Sequence, residues 1–238
     1  MLLDRLLQQT QFLLNTKDKR VREIEITNDG SATLYVKELD EHYHSVKGAL
    51  TESEHIFRNC AFLYRSKGEK VRVLEIGFGT GLNAVVTAMA ADAEHPVHYI
   101  SIEKYPVDSE TLSQLKYGEI VNEKLYNDII NAEWDREVEI TPFFSLEKIE
   151  GDYLLDSLPS NIDVIYFDAF APEKQPEMWS KEAFERLYAT TNSGAVLTTY
   201  CSKGVIRRML SDIGFNVERI AGPPNGKREI LRATVGSI

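Results

Sequence analysis

Three glycines at every second position, Gly77, Gly79 and Gly81, stand where an apolar run gives way to a helical pattern. Arg72 to Ile76 reads as a strand before them, Leu82 to Ala91 as a helix after them, and Val97 to Ile102 as the next strand. A strand, glycine loop, helix and strand in that order lead to a parallel sheet with right-handed crossovers. The alternation continues. Ile162 to Phe167 and Ala195 to Tyr200 read as core strands, and Val205 to Ile213 as a helix that ends at Gly214. Phe215 to Ile220 and Glu229 to Val235 are joined by Gly222-Pro223-Pro224-Asn225-Gly226, so they are expected to be antiparallel neighbours. Glu137 to Thr141 and Ser145 to Glu150 straddle Pro142 as a further hairpin. The expected class is α/β, a mostly parallel sheet with an antiparallel last strand.

The first 66 residues break this rhythm. Residues 1–20 read as a short amphipathic helix with a charged turn. Val21 to Ile26 and Thr33 to Val36 flank Asn28-Asp29-Gly30-Ser31, a hairpin signal. From Val46 to about Tyr64 the apolar spacing is helical. Residues 1–66 are therefore expected to be an extension packed on a core of residues 67–238 that folds as one unit.

The 238 residues are 43% apolar and 27% charged, enough to bury a core without staples. Cys60 and Cys201 are far apart and in no metal-ligand spacing, so no metal is expected and a reducing compartment fits. No run approaches the roughly 18 apolar residues of a membrane span, and Met1-Leu2-Leu3-Asp4-Arg5 lacks a basic leader pattern. A cytoplasmic location is the expectation. The net charge of −10 argues against a generally basic, nucleic-acid-binding surface, although a local basic patch suffices for a shaped RNA.

The glycine loop is Glu75-Ile76-Gly77-Phe78-Gly79-Thr80-Gly81. Its glycines let a ligand approach the backbone, and the helix behind offers free N–H groups. Its third glycine falls one residue early for a dinucleotide fingerprint. Glu75 ahead of the first glycine suits a cationic ligand, and Glu103 closes the next strand, placed to accept from ribose hydroxyls. This pattern resembles the class I S-adenosylmethionine-dependent methyltransferases, whose fold is Rossmann-like. The resemblance implies that Glu75, Gly77, Phe78, Gly79, Thr80, Gly81 and Asn83 surround the methionine and sugar of S-adenosyl-L-methionine. It implies that Glu103 holds the ribose. Asp152, ahead of an expected helix start, would meet the adenine amino group; the competing role for Asp152 is a helix cap.

The second informative stretch is Asp168-Ala169-Phe170-Ala171-Pro172, at the mouth of the Ile162–Phe167 run. Ligands of open α/β sheets bind at the carboxyl ends of strands. Methyl transfer is largely a matter of positioning, but a protonated amine must shed a proton before it attacks. Asp168 would orient such an amine and take the proton, with Phe170 and Pro172 as an apolar wall. The competing role for Asp168 is a loop cap.

Around these lie His42-Tyr43-His44-Ser45, Gly48-Ala49-Leu50, Glu52-Ser53, Pro176-Glu177-Met178-Trp179, Thr199-Tyr200-Cys201-Ser202, Gly204 with Arg207-Arg208, and Gly226-Lys227-Arg228-Glu229. Together they are similar to the methyltransferase half of the MnmC family in its stand-alone MnmD form, from about residue 30 to residue 232. Gln175 stands where that family leads one to expect Asn. The resemblance implies methylation of the 5-aminomethyl group of the wobble uridine, often a 2-thiouridine, in the anticodon stem-loop of tRNA. The family's bifunctional enzyme also carries a flavin-dependent oxidase, which does not fit in this chain, so no flavin is expected and the free amine is expected from another enzyme or from the primary modification pathway. A monomer or weak dimer is expected.

Tyr43, His44 and Tyr200 are candidates to line the acceptor pocket, the tyrosines by stacking on a splayed base. His42 and His55 are read as structural, and Trp179 as an anchor for the acceptor loop. Lys203, Arg207, Arg208, Lys227 and Arg228 form one candidate RNA-facing cluster; Lys17, Lys19, Arg20 and Arg22 form another. The rival functions are a small-molecule or protein amine methyltransferase, a spermidine-synthase-like aminopropyltransferase, and a non-catalytic RNA-binding module.

Overall fold

Asp29 shows how the N-terminal extension is tied down. In the computed structural model, which describes residues 20–66 and 68–236, Arg22–Ile26 (β1) and Ala32–Val36 (β2) pair antiparallel, and Glu41–His42 (β3) adds to β2. The expected helix over residues 1–20, with Lys17 and Lys19, lies outside the described residues apart from Arg20. Asp29, in the β1–β2 turn, accepts from the Ser31 N–H and hydroxyl, the Thr27 hydroxyl and the N–H and hydroxyl of Thr51. Burial alone would raise its pKa, but these bonds outweigh it and hold the carboxyl below the usual range. Thr51 belongs to the next helix, so one carboxylate joins hairpin and helix. That helix starts at Ala49–Glu52, runs π-helically through Ser53–Phe62 and ends in Leu63–Arg65. Sequence reading starts it at Val46, but Ser45 to Gly48 form a turn instead.

The main sheet has eight strands: Val71–Ile76 (β4), Val97–Glu103 (β5), Glu137–Thr141 (β6), Phe144–Glu150 (β7), Ile162–Phe167 (β8), Thr191–Thr199 (β9), Phe215–Ala221 (β10) and Glu229–Val235 (β11). Their spatial order is β10-β11-β9-β8-β4-β5-β7-β6. The pairs β4–β5, β4–β8, β5–β7 and β8–β9 are parallel, whereas β11 is antiparallel to both β9 and β10, and β6 to β7. The expected hairpin about Pro142 is present, and its second strand is also the third parallel strand of the core.

Both faces of the sheet are covered. One core holds Val73, Tyr99, Val164 and Tyr166 beneath Phe57 and Phe62 of the Ala49–Arg65 helix. The other holds Leu74, Ile100, Ile165 and Phe167 with Trp179 and Phe184. Alternate residues of one strand thus feed opposite cores, which is why β4, β5 and β8 read as continuous apolar runs. Helices Ser109–Gln114, Tyr117–Ile120, Glu123–Asn131 and Lys181–Ala189 fill stretches that carry no clear pattern in sequence. No helix among the described residues is long and apolar enough to cross a membrane.

Candidate active site

The loop after β4 bends over the carboxyl edge of the sheet. Gly77, Gly79 and Gly81 all have positive φ, 91°, 53° and 74°. At Gly79 a side chain is disfavoured twice over: by the left-handed backbone and because a Cβ would lie 3.1 Å from Tyr43 Cδ1, so that the ring would have to shift. The Gly79 N–H donates to Glu103 Oε2 at 3.1 Å and the Tyr105 N–H to Oε1 at 2.8 Å. These two bonds hold the Glu103 carboxylate at the end of β5 against the loop.

A cleft that is open to solvent lies there. Gly77, Phe78, Gly79, Thr80, Asn83, Glu103 and Asp152 all line it, whereas Gly81, expected with them, does not. Asp152 Oδ2 accepts from Lys104 Nζ at 2.8 Å and Oδ1 from the Leu154 N–H at 2.9 Å. Burial acts to raise the Asp152 pKa, but Lys104 and that N–H overcome it and keep the group ionised. The helix expected after Asp152 is replaced by a hydrogen-bonded turn in which the Leu155 and Asp156 N–H groups return to the Asp152 carbonyl. Pro159 follows too closely for a longer helix.

Glu75 departs from expectation. It is fully buried and does not line the cleft. Burial pushes its pKa up to about 8, against the hydrogen bond from Ser101 Oγ at 2.8 Å, and the nearby Asp168 charge adds to the rise. It is therefore largely protonated near neutral pH. Asn83 does line the cleft, and its Oδ1 is buried without a partner, an acceptor that a cationic amino-acid end would satisfy. The open glycine backbone, this acceptor, and Glu103 and Asp152 along the cleft together fit S-adenosyl-L-methionine.

Asp168 leaves β8 at the junction of two chambers. It lines the cleft just described and also a second chamber, bounded by His42, Glu52, Tyr200 and Lys227. Tyr43, His44, Ala169 and Phe170 likewise face both. Asn83 Nδ2 donates to Asp168 Oδ2 at 2.9 Å. Burial pushes Asp168 up to about 7 and the Glu52 charge adds to this, while Asn83 and Lys227 oppose it. An aspartate so placed can gain or lose a proton near neutral pH.

The rest of the acceptor loop is held from behind. Trp179 Nε1 donates to the Phe170 carbonyl at 2.7 Å and Tyr200 Oη to the Ala169 carbonyl at 2.8 Å. Trp179 is buried against Phe167 and Phe184 and acts as the loop's anchor. The Phe170 ring meets Tyr43 edge-on, with centroids 5.2 Å apart. Pro172 lines neither chamber; it opens the turn in which the Lys174 and Gln175 N–H groups return to the Ala171 carbonyl. Its locked φ suits that turn position, which corrects its expected part in the apolar wall.

His44 is buried, and burial lowers its pKa to about 4, so it stays neutral. Arg22 Nε donates to Tyr43 Oη at 3.1 Å. His42, read as structural, also lines the second chamber, whereas His55 lies within 2.8 Å of the Ala221 carbonyl, away from both. Of Lys203, Arg207, Arg208, Lys227 and Arg228, Lys227 alone lines a chamber. Lys203 pairs with Glu173 of the acceptor loop, and Arg207, Arg208 and Arg228 lie outside both chambers. Arg20 lines the cofactor cleft instead, its guanidinium 3.9 Å from the Tyr105 ring centroid. Sequence reading assigned no role to Glu41, Glu52, Lys104 or Tyr105. Glu52 sits in a quoted motif, but the chamber it faces is created by tertiary packing.

Comparison with known proteins gives a consistent picture. The sequence model of an S-adenosyl-L-methionine-dependent methyltransferase family matches residues 118–236. The chain is 33% identical over 205 residues to the tRNA 5-methylaminomethyl-2-thiouridine biosynthesis bifunctional protein MnmC of Cupriavidus necator, covering 79% of this chain and 31% of that protein. It is 31% identical over 222 residues to the protein of the same name from Leptospira interrogans, covering 87% and 34%. The chain thus spans about a third of the length of these relatives. Among solved structures, MNMC2 from Aquifex aeolicus matches with TM-score 0.74 and 25% identity, over 93% of this chain and 72% of that one. Spermidine synthase from Thermotoga maritima shares the fold, with TM-score 0.54 and 14% identity over 93% of this chain and 81% of that one.

Proposed function

The chain belongs to the S-adenosyl-L-methionine-dependent methyltransferase family and is of the MnmD type, and on that premise we propose that it methylates the 5-aminomethyl group of a wobble uridine in tRNA. The substrate is 5-aminomethyluridine or its 2-thio form, and the product is the 5-methylaminomethyl nucleoside. The observation that carries the proposal is the shared wall: Asp168, Phe170, Tyr43 and His44 face the cofactor cleft on one side and the acceptor chamber on the other.

Bound S-adenosyl-L-methionine supplies an electrophilic methyl group on a sulfonium. Glu103 and Asp152 are the acceptors for the ribose hydroxyls and the adenine amino group, and the glycine loop gives the close backbone approach. Asn83 ties the cofactor loop to the acceptor loop through its bond to Asp168. Asp168 accepts an N–H of the substrate ammonium, takes its proton and leaves the nitrogen lone pair facing the cofactor cleft. Phe170 and Tyr43 form an apolar wall beside the reacting atoms, and Tyr43 and Tyr200 offer faces for a base turned out of its stack. The partner is the anticodon stem-loop, met in the cytoplasm by a monomer or weak dimer.

The test is methyl transfer to tRNA from cells that lack this modification, followed by nucleoside analysis. The 5-methylaminomethyl nucleoside is expected, with no transfer to free putrescine. Absence of that nucleoside overturns the assignment.

A further inference from the structure

The acceptor chamber holds two charged groups for which the catalytic account above has no use. Glu52 projects into it from the first turn of the Ala49–Arg65 helix. Its Oε2 is fixed by the Ser45 N–H at 2.9 Å, while its Oε1 has no hydrogen-bond partner among the described residues. In the same chamber, Lys227 Nζ lies 3.9 Å from the centroid of the Tyr200 ring and forms no ion pair among the described residues. The position of Lys227 is built into its turn: a Cβ on Gly222 would lie 1.8 Å from the Lys227 carbonyl oxygen, so only glycine permits this fold of the chain. Tyr200 is fixed in turn by its bond to the Ala169 carbonyl.

We propose that Glu52 and Lys227 are an opposed pair of positioning residues: Glu52 Oε1 holds a second N–H of the incoming ammonium while Asp168 holds the first, and Lys227 Nζ faces the carbonyl edge of the attached base. This rests on the amine-methylating reading given above. A primary ammonium has three N–H donors. Asp168 takes one proton, Glu52 fixes another N–H, and the lone pair then has few directions left, which is how positioning turns into rate. The pair also acts on the proton affinity of Asp168 with opposite signs. Glu52 raises it and Lys227 lowers it, beyond the larger effect of burial. The other groups around Asp168 are Glu75 and Tyr99 beneath it, Tyr200 beside it, and Glu41, His42 and His44 from the N-terminal sheet. None of these bears on Asp168 with opposite signs as the Glu52 and Lys227 charges do.

The experiment compares Glu52→Gln, Lys227→Met and Lys227→Arg with the parent chain. The Asp168 carboxyl is titrated by carbon NMR in the free protein, and the pH–rate profile is measured on tRNA carrying 5-aminomethyluridine. Glu52→Gln is expected to move the Asp168 midpoint and the acid limb of the rate profile down by about half a pH unit or more. It is also expected to raise the KM for the tRNA amine about tenfold, with cofactor affinity unchanged. Lys227→Met is expected to move both midpoints up, by less, because Lys227 is exposed at the rim. Lys227→Arg keeps the parent midpoint. Shifts in the same direction, or none, overturn the pairing. If the parent chain does not turn over this tRNA, the proposed substrate falls, whereas the NMR midpoints still decide whether the pair acts on Asp168.

Discussion

Asp168 shows how much a side chain's chemistry depends on its neighbours. At the end of β8 it is largely desolvated, hydrogen-bonded by Asn83 and near Glu52, and its pKa rises to about 7. On the proposed function the ionised form accepts the amine proton, so kcat/KM is expected to rise with pH and level off above about 7. Asp168→Asn keeps the shape and removes the acceptor. It should lower kcat by about 100-fold or more and leave the cofactor Kd within about threefold, measured by single-turnover assay and calorimetry. A normal rate would make Asp168 a loop cap.

Glu75 titrates from the same cause but acts on stability. Its folded pKa of about 8 lies above the unfolded value of 4.5, so the folded state holds this proton more tightly. The resulting stabilisation is fully present below the unfolded pKa and is lost as the pH rises through about 8. Glu75→Gln should remove that slope, so that the fall in Tm between about pH 5 and about pH 9 becomes shallower than in the parent chain. An unchanged fall would show that Glu75 is ionised throughout.

At the scale of elements, the acceptor loop from Asp168 to Ser180 is pinned by Trp179. Trp179→Phe keeps most of the ring packing but removes the donor to the Phe170 carbonyl. The loss of that bond should cost about 1 kcal/mol of stability in a denaturant melt. It should also raise the KM for both the amine and the cofactor, because Phe170 faces both chambers. The glycine loop, β4, β5, β8 and the β10–β11 hairpin were legible in sequence, because two-sided burial and glycine punctuation leave local marks. The Tyr153–Asp156 turn was not: Asp152 looks like a helix cap, and Pro159 stops the helix from forming.

At the scale of the whole molecule, a net charge of −10 has to be reconciled with the polyanionic partner proposed above. Lys203, Arg207 and Arg208 stand together after β9, on and ahead of the Gly204–Ile213 helix, close to the acceptor loop through the Lys203–Glu173 pair. Reversing Arg207 and Arg208 together to Glu should weaken tRNA binding and lower the slope of log K against log salt by about one to two, with cofactor binding untouched. An unchanged slope would remove both residues from the interface.

The chain's local patterns settle its class. Apolar runs of strand length, helices between them and three spaced glycines leave little but a parallel sheet with a ligand at its carboxyl edge, and Glu103 and Asp168 stand where such a ligand is met. Those signals are short-range, which is why they survive in sequence alone. Whether a carboxylate faces a ligand or lies beneath the loop is a long-range matter. Tertiary packing buried Glu75, turned Pro172 away from the site, and brought Glu52 from the first helix and Lys227 from the last turn into one chamber with Asp168. Proton affinity follows desolvation and neighbouring charge, and residues 52, 168 and 227 become neighbours only when the sheet closes them together.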